Sequence, residues 1–126
     1  MSAQLKLDSL ADELTRGPPV EQRASRRKRV LLAAKVAFNM TMADCTIRDL
    51  SEGGARIHAP TVLGLPNELY LLIMREGLVI HAKRIWAGFP HFGLKFLAAE
   101  GVEESTWPQA APLRKAWEDW SRSQRP

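Results

Sequence analysis

Two short fragments of the chain carry residue types able to hold a nucleotide. The first is Arg23-Ala24-Ser25-Arg26-Arg27, in which Arg23 and Arg27 stand four positions apart. Five of the seven residues from Arg23 to Arg29 are basic, so the charge is concentrated there. The second is Asp49-Leu50-Ser51-Glu52-Gly53-Gly54. Arginine offers a planar fork of donors that pairs with phosphate and stacks on a base. Guanine accepts at O6 and N7, where arginine reads it, and donates from N1 and N2 to a carboxylate such as Asp49. The Ser51 hydroxyl can bond base or phosphate, and Gly54 permits a positive φ or a close backbone approach. Together the set suits a compact dianion with guanine faces. Each fragment alone has a plainer reading: a basic run as a solvated arm, and Gly53-Gly54 as turn geometry.

The elements that must position these residues are legible in the hydrophobic period. Leu7, Leu10 and Leu14 recur at helical spacing, with Ser9 and Asp12 resembling a capping box and Gly17-Pro18-Pro19 ending the segment. This predicts a short helix in an extension over residues 1–19, docked or frayed on the domain surface. Residues 20–29 are polar, basic and aperiodic, and read as an exposed arm. From Val30 the period becomes two. Leu32, Ala34, Val36 and Phe38 share one face of a first strand, and Cys45 and Ile47 one face of a second. Ala55 and Ile57 follow in a third strand, and Leu69, Leu71 and Ile73 in a fourth. A fifth runs from Leu78 to about Trp86, and a sixth from Phe92 to Leu97.

Six short strands joined by tight turns predict an all-β core, a six-stranded antiparallel barrel or sandwich over residues 20–99. Barrel closure would remove edges that strands this apolar would leave open to aggregation. In the tail, residues 100–126, Leu113, Trp117 and Trp120 fall at i, i+4 and i+7, predicting a C-terminal α-helix over about 112–121 that lays two tryptophans on the barrel. From Arg27 to Asp49 is 22 positions, one strand out and one back. The arm should therefore join the barrel beside the turn after strand two.

Composition bounds the rest. The chain has 126 residues, 45% hydrophobic and 25% charged, which fits one soluble domain. Its net charge of +4 favours anionic partners. Cys45 is the only cysteine, so no intrachain disulfide forms, and in a strand it reads as a buried small hydrophobe. The first residues lack a signal-peptide pattern, and no apolar run approaches the ~20 residues that span a bilayer. The expectation is a cytoplasmic, monomeric protein without a membrane span. His58, His91 and His81 lie on separate elements without ligand spacing, so no metal or other cofactor is expected. No nucleophile elbow, P-loop or paired carboxylates occur, so no enzymatic activity is expected. Trp86 alternates with Ile80 and Ala82 and is expected in the core more readily than on a ligand.

Arginines four apart, then about twenty residues, then Asp49-x-Ser51-x-x-Gly54: this order resembles the PilZ domain family's signature for the bacterial second messenger cyclic di-GMP. The resemblance covers roughly Glu21 to Leu97. It extends through Asp44-Cys45-Thr46-Ile47-Arg48-Asp49-Leu50-Ser51 to Arg84-Ile85-Trp86 and Phe92-Gly93-Leu94-Lys95-Phe96, which looks like the family's closing hairpin. It implies a six-stranded barrel whose arm wraps over cyclic di-GMP. Arg23 and Arg27 would contact phosphate and guanine, with Asp49, Ser51 and Gly54 at the guanine edge. Accessory contacts fall to Gln22, Arg26, Gly53 and Trp86. Gln22 departs from the commoner Arg or Leu just before the motif, a place that bears on whether one ligand or a stacked pair is bound. The resulting expectation is a receptor module whose arm is ordered by the ligand and signals to an unidentified protein partner. Motility, polysaccharide export and cell-cycle control are processes the family offers. The alternatives are a degenerate PilZ-like module that binds only protein, and a basic nucleic-acid-binding barrel. The second is disfavoured by the scarcity of aromatics on exposed strand faces.

Overall fold

The computed structural model describes residues 3–15 and 28–124, with side chains described for 3–10 and 29–124. Helix α1 spans Ala3–Thr15. Six strands follow: β1 Lys28–Phe38, β2 Thr41–Leu50, β3 Gly54–His58, β4 Glu68–Ile73, β5 Leu78–Gly88 and β6 His91–Gly101. A 3₁₀ turn at Pro108–Ala110 leads into α2, Ala111–Ser123. Every strand pairing is antiparallel, and the sheet closes into a barrel in the order β1-β2-β3-β6-β5-β4. The expected six-stranded barrel flanked by two helices is the architecture found.

The period-two faces become the inside of the barrel. Leu32, Ala34, Val36, Cys45, Ile47, Ile57, Leu69, Leu71, Ile73, Ile80, Phe92 and Leu94 are buried in one cluster. The β1–β2 hairpin turns on Asn39 and Met40, both with positive φ (47° and 64°), the two-residue form whose twist matches the strands. Strand ends run further than the alternation suggested. β1 begins at Lys28, so Lys28 and Arg29 are strand and not arm, while β5 reaches Gly88 and β6 reaches Gly101.

The helices occupy different places on the barrel. The side chains of Leu7 and Leu10 join the barrel's own interior cluster, so α1 is part of the core and more than a surface attachment. Its start at Ala3 overturns the expected capping box. Ser9 and Asp12 lie inside the helix, because Leu5, Lys6 and Leu7 are good helix formers that carry it upstream. Helix α2 covers an outer face, where Leu113, Trp117 and Trp120 pack with Ala37, Leu72, Met74, Val79 and Val102. Trp117 Nε1 donates to the Met74 carbonyl at 3.0 Å. Its ring lies over Gly77, whose φ of +64° and 3.2 Å clearance to the indole both favour the absence of a side chain. Arg114 fixes the first turn of α2 by donating to the carbonyls of Val102 (3.0 Å) and Ser105 (2.6 Å). The two tryptophans therefore pack as the spacing predicted.

Truncation tests the role given to α1. Leu7→Ala is expected to cost about 2–5 kcal/mol in urea unfolding, the range for a buried leucine. The exposed Leu5→Ala should stay within about 0.5 kcal/mol. Equal effects would mean α1 is not docked through Leu7.

Candidate functional site

The β2–β3 turn is built by the backbone before any ligand is considered. The Ser51 amide donates to the Gly54 carbonyl at 2.9 Å, and the Ser51 hydroxyl donates to the same oxygen at 3.3 Å. The Phe96 amide reaches across to the Gly53 carbonyl at 2.8 Å, fastening the turn to β6. Gly54 pairs with Lys95, and a Cβ on Gly54 would collide with the Leu94 carbonyl oxygen. Close approach is thus what requires glycine here. Positive φ, the other role open to it, is confined to Gly77 among the described glycines. At Gly53 a Cβ would meet nothing within 4 Å.

Asp49 owes its orientation to a bulge. Ile47 pairs with Ile57 and Asp49 with Arg56, leaving Arg48 as an extra residue on β2. The extra residue shifts the alternation, so that Ile47 points into the barrel and Asp49 out. There the carboxylate Oδ2 accepts a charge-assisted hydrogen bond from Arg56 Nε at 2.5 Å. The pair is half-buried, with 28% of the Arg56 side chain and 10% of the Asp49 side chain exposed.

Trp86 is the main correction to the sequence reading. Counting by twos from Ile80 and Ala82 puts it in the core, but β5 carries a bulge between Arg84 and Trp86 opposite Leu94 and Gly93. One inserted residue moves the next side chains along the strand to the opposite face. The indole lies outside, 41% exposed, across from Gly93, where a Cβ would collide with its ring. One signal in the sequence pointed this way: a glycine stands in β6 where a bulky neighbour needs room. Arg84, opposite Leu94 and ahead of the bulge, reaches the β3–β4 connection, donating to the Leu65 carbonyl (2.8 Å) and Asn67 Oδ1 (3.1 Å).

Between turn and indole lies a cleft of ≈ 220 Å³, lined by Ser51, Gly53, Gly54, Arg56, Trp86 and Lys95 among others. Drug-sized ligands occupy roughly 300–1,000 Å³, so this cleft accommodates part of a nucleotide, such as one base, and leaves the rest on the open face. A wider groove of ≈ 910 Å³ between α1 and β6 carries Leu5, Lys6, Glu100 and Glu104. Its carboxylates repel phosphate, and it holds no residue of the two fragments. The structure therefore brings together Asp49, Ser51, Gly53, Gly54 and Trp86, and adds Arg56 and Lys95. Arg56 was legible only as an outward position on β3. Gln22, Arg23, Arg26 and Arg27 lie outside the described residues. The point where that segment joins the barrel is described: Arg29 pairs with Asp49 and Lys28 with Leu50.

Other chemistry has little support on this surface. Among the described residues no group of three or more His, Cys, Asp or Glu side chains is arranged to hold a metal ion. Burial, reinforced by Asp44 and opposed by Lys35, pushes the Cys45 thiol up to about 12, so it stays a neutral, inert thiol.

The two glycines make a paired test of the turn. Gly54→Ala should lose about 1–3 kcal/mol of stability, as expected for forcing an atom into occupied space. Gly53→Ala should stay within about 0.5 kcal/mol. Urea unfolding of both variants checks the contrast, and equal stability would remove the steric account of Gly54.

The sequence matches the family described as PilZ domain over residues 21–106, well over half the chain. Among solved structures, the PilZ domain of CeSA from a cellulose synthesizing bacterium is 22% identical, with a TM-score of 0.49, covering 75% of this chain and 99% of that one. An uncharacterized Legionella protein is 15% identical, with a TM-score of 0.41, covering 78% of this chain and 96% of that one. No curated protein matches the chain. The match spans the arginine segment, the Asp49–Gly54 turn and all six strands of the closed barrel, and on it the chain belongs to the PilZ domain family, whose members are binding modules and generally receptors for cyclic di-GMP.

Proposed function

We propose that this protein is a cyclic di-GMP receptor, with the nucleotide seated between the Asp49–Gly54 turn and Trp86 and held by Arg23 and Arg27. The observation that carries the reading is the register of β1 on β2. Arg29 pairs with Asp49, so the strand that follows the arginine segment begins beside the turn that bears the proposed guanine-edge residues. In this reading a guanine enters the cleft, stacking on the exposed indole and donating to Asp49 and Ser51. Arg56 holds the Asp49 carboxylate aimed outward. The phosphates remain on the open face, where Arg23 and Arg27 clamp them. Gln22 and Arg26 are accessory to that clamp.

Ligand contacts then fix the arm across the face and create a surface that exists only in the complex, which a protein partner reads. Nothing in this mechanism calls for catalysis or a cofactor. No helix among the described residues is long and apolar enough to cross a membrane. The reading places the protein in the cytoplasm, where a nucleotide second messenger acts.

Calorimetric titration with cyclic di-GMP at physiological salt tests the proposal, with GMP and cyclic GMP as controls. Saturable binding is expected, with a stoichiometry that reports on Gln22. Arg27→Ala should lose about 1–3 kcal/mol of binding, roughly tenfold or more in affinity. Near-wild-type affinity in that variant would rule out the site. No binding by the folded wild-type protein would leave a module that recognises only protein.

A further inference from the structure

A second group of cations lies on the same outer face, further along β3. His58 on β3 pairs with His91 on β6, and their rings stand with centroids 5.1 Å apart, tilted by 52°. Ile57 and Phe92 point into the core, so both imidazoles lie outside. Arg56 is two residues along β3 from His58 and shares its face. On β2, Thr46 stands opposite His58, and the bulge that turns Asp49 outward leaves Arg48 as the extra residue beside it. On β5, uncharged Gly88 faces His91. Among the described residues Asp49 is the carboxylate that acts on His91, against Arg48, Arg56 and His58, and one Arg56 nitrogen already occupies it. Arg48 has no carboxylate partner among the described residues.

We propose that Arg48, Arg56, His58 and His91 form a binding subsite for a tetrahedral oxyanion, the phosphoryl group of a ligand. Two adjacent imidazoles alone suit a metal ion as well, but flanking guanidiniums repel a cation and attract an anion. Arg56 spends Nε on Asp49 and keeps its terminal nitrogens as donors. Four residues of strand separate Gly54 from His58, about 13 Å, so the subsite extends beyond the base cleft, shares only Arg56 with it and needs none of the arginine segment. It goes beyond the nucleotide reading and stands or falls apart from it.

The charge balance gives the subsite a pH dependence. Burial, Arg56, His58 and Arg48 hold His91 below its ordinary 6.5, with Asp49 opposing. A bound dianion favours the imidazolium, so His91 takes up a proton on binding. Affinity is therefore weakest above the His91 pKa of the complex. It rises as pH falls toward the lower pKa of the free protein and levels off below that.

Sulfate is the probe, since it remains a dianion throughout, with chloride holding the ionic strength constant. Imidazole NMR signals of His58 and His91 are followed at about pH 5.5 and about pH 8, either side of the histidine range. Saturable shifts of both rings are expected at the lower pH, with affinity about tenfold weaker at the higher one. Arg48→Ala should weaken sulfate about tenfold without changing the urea midpoint. Rings that do not respond to sulfate, or respond equally to chloride, would overturn the proposal, as would rings that respond only to nickel. Cyclic di-GMP that displaces sulfate assigns the subsite to its own phosphodiester. Simultaneous occupancy assigns it to a second phosphorylated molecule. Titration of cyclic di-GMP alone at about pH 8, above the ordinary histidine range, reports on the nucleotide reading independently.

Discussion

The barrel closes through a short ladder, Ala34–Ala37 of β1 against Tyr70–Ile73 of β4. Without those pairings the six strands would be an open, curled sheet with two apolar edges. With them, each strand has one face inside and one outside, and the inside is filled by a single cluster that also admits Leu7 and Leu10. Closure also divides the exterior. Helix α2 and its tryptophans cover the region around Leu72, Met74 and Val79 on one side. Helix α1 packs mostly against β6, and the charged residues gather on the outward positions of β3 and of its neighbours on β2 and β6.

Alternation succeeds or fails according to the way it counts. It places Leu32, Ala34, Val36, Leu69, Leu71 and Ile73 correctly because β1 beyond Leu32 and β4 run without interruption. It fails for Trp86 because a bulge adds a residue that the count does not see. The same device at Arg48 aims Asp49 outward while Leu50 returns to the core, an arrangement that strict alternation forbids. The residue types of the proposed site were legible because guanine and phosphate, the groups it is proposed to hold, demand particular donors and acceptors. Arg56 was missed because pairing to Asp49 across strands depends on register, which a linear reading supplies only approximately. The α1 boundary failed for a different reason: Ser9 and Asp12 have capping chemistry, but good helix formers precede them.

The bulges at Arg48 and Ile85 lie on the exposed face, and neither interrupts the β1–β4 closure. A bulge weakens the ladder locally and increases twist, which is tolerable where strands are flanked by intact pairings. It re-aims one side chain without moving the fold. At Arg48 the gain is an outward carboxylate beside two arginines. At Ile85 it is an indole set against a glycine and lining the cleft.

Gly54 has a consequence for how relatives of this chain are to be interpreted. Its missing side chain is demanded by the Leu94 carbonyl, and Asp49 already has a partner in Arg56, whether or not a nucleotide ever arrives. The turn half of the signature is therefore part of the architecture, and a descendant that abandoned its ligand would still have reason to keep it. As a diagnostic, an inherited turn testifies first to the barrel, and its presence alone is no sign that the messenger is still bound.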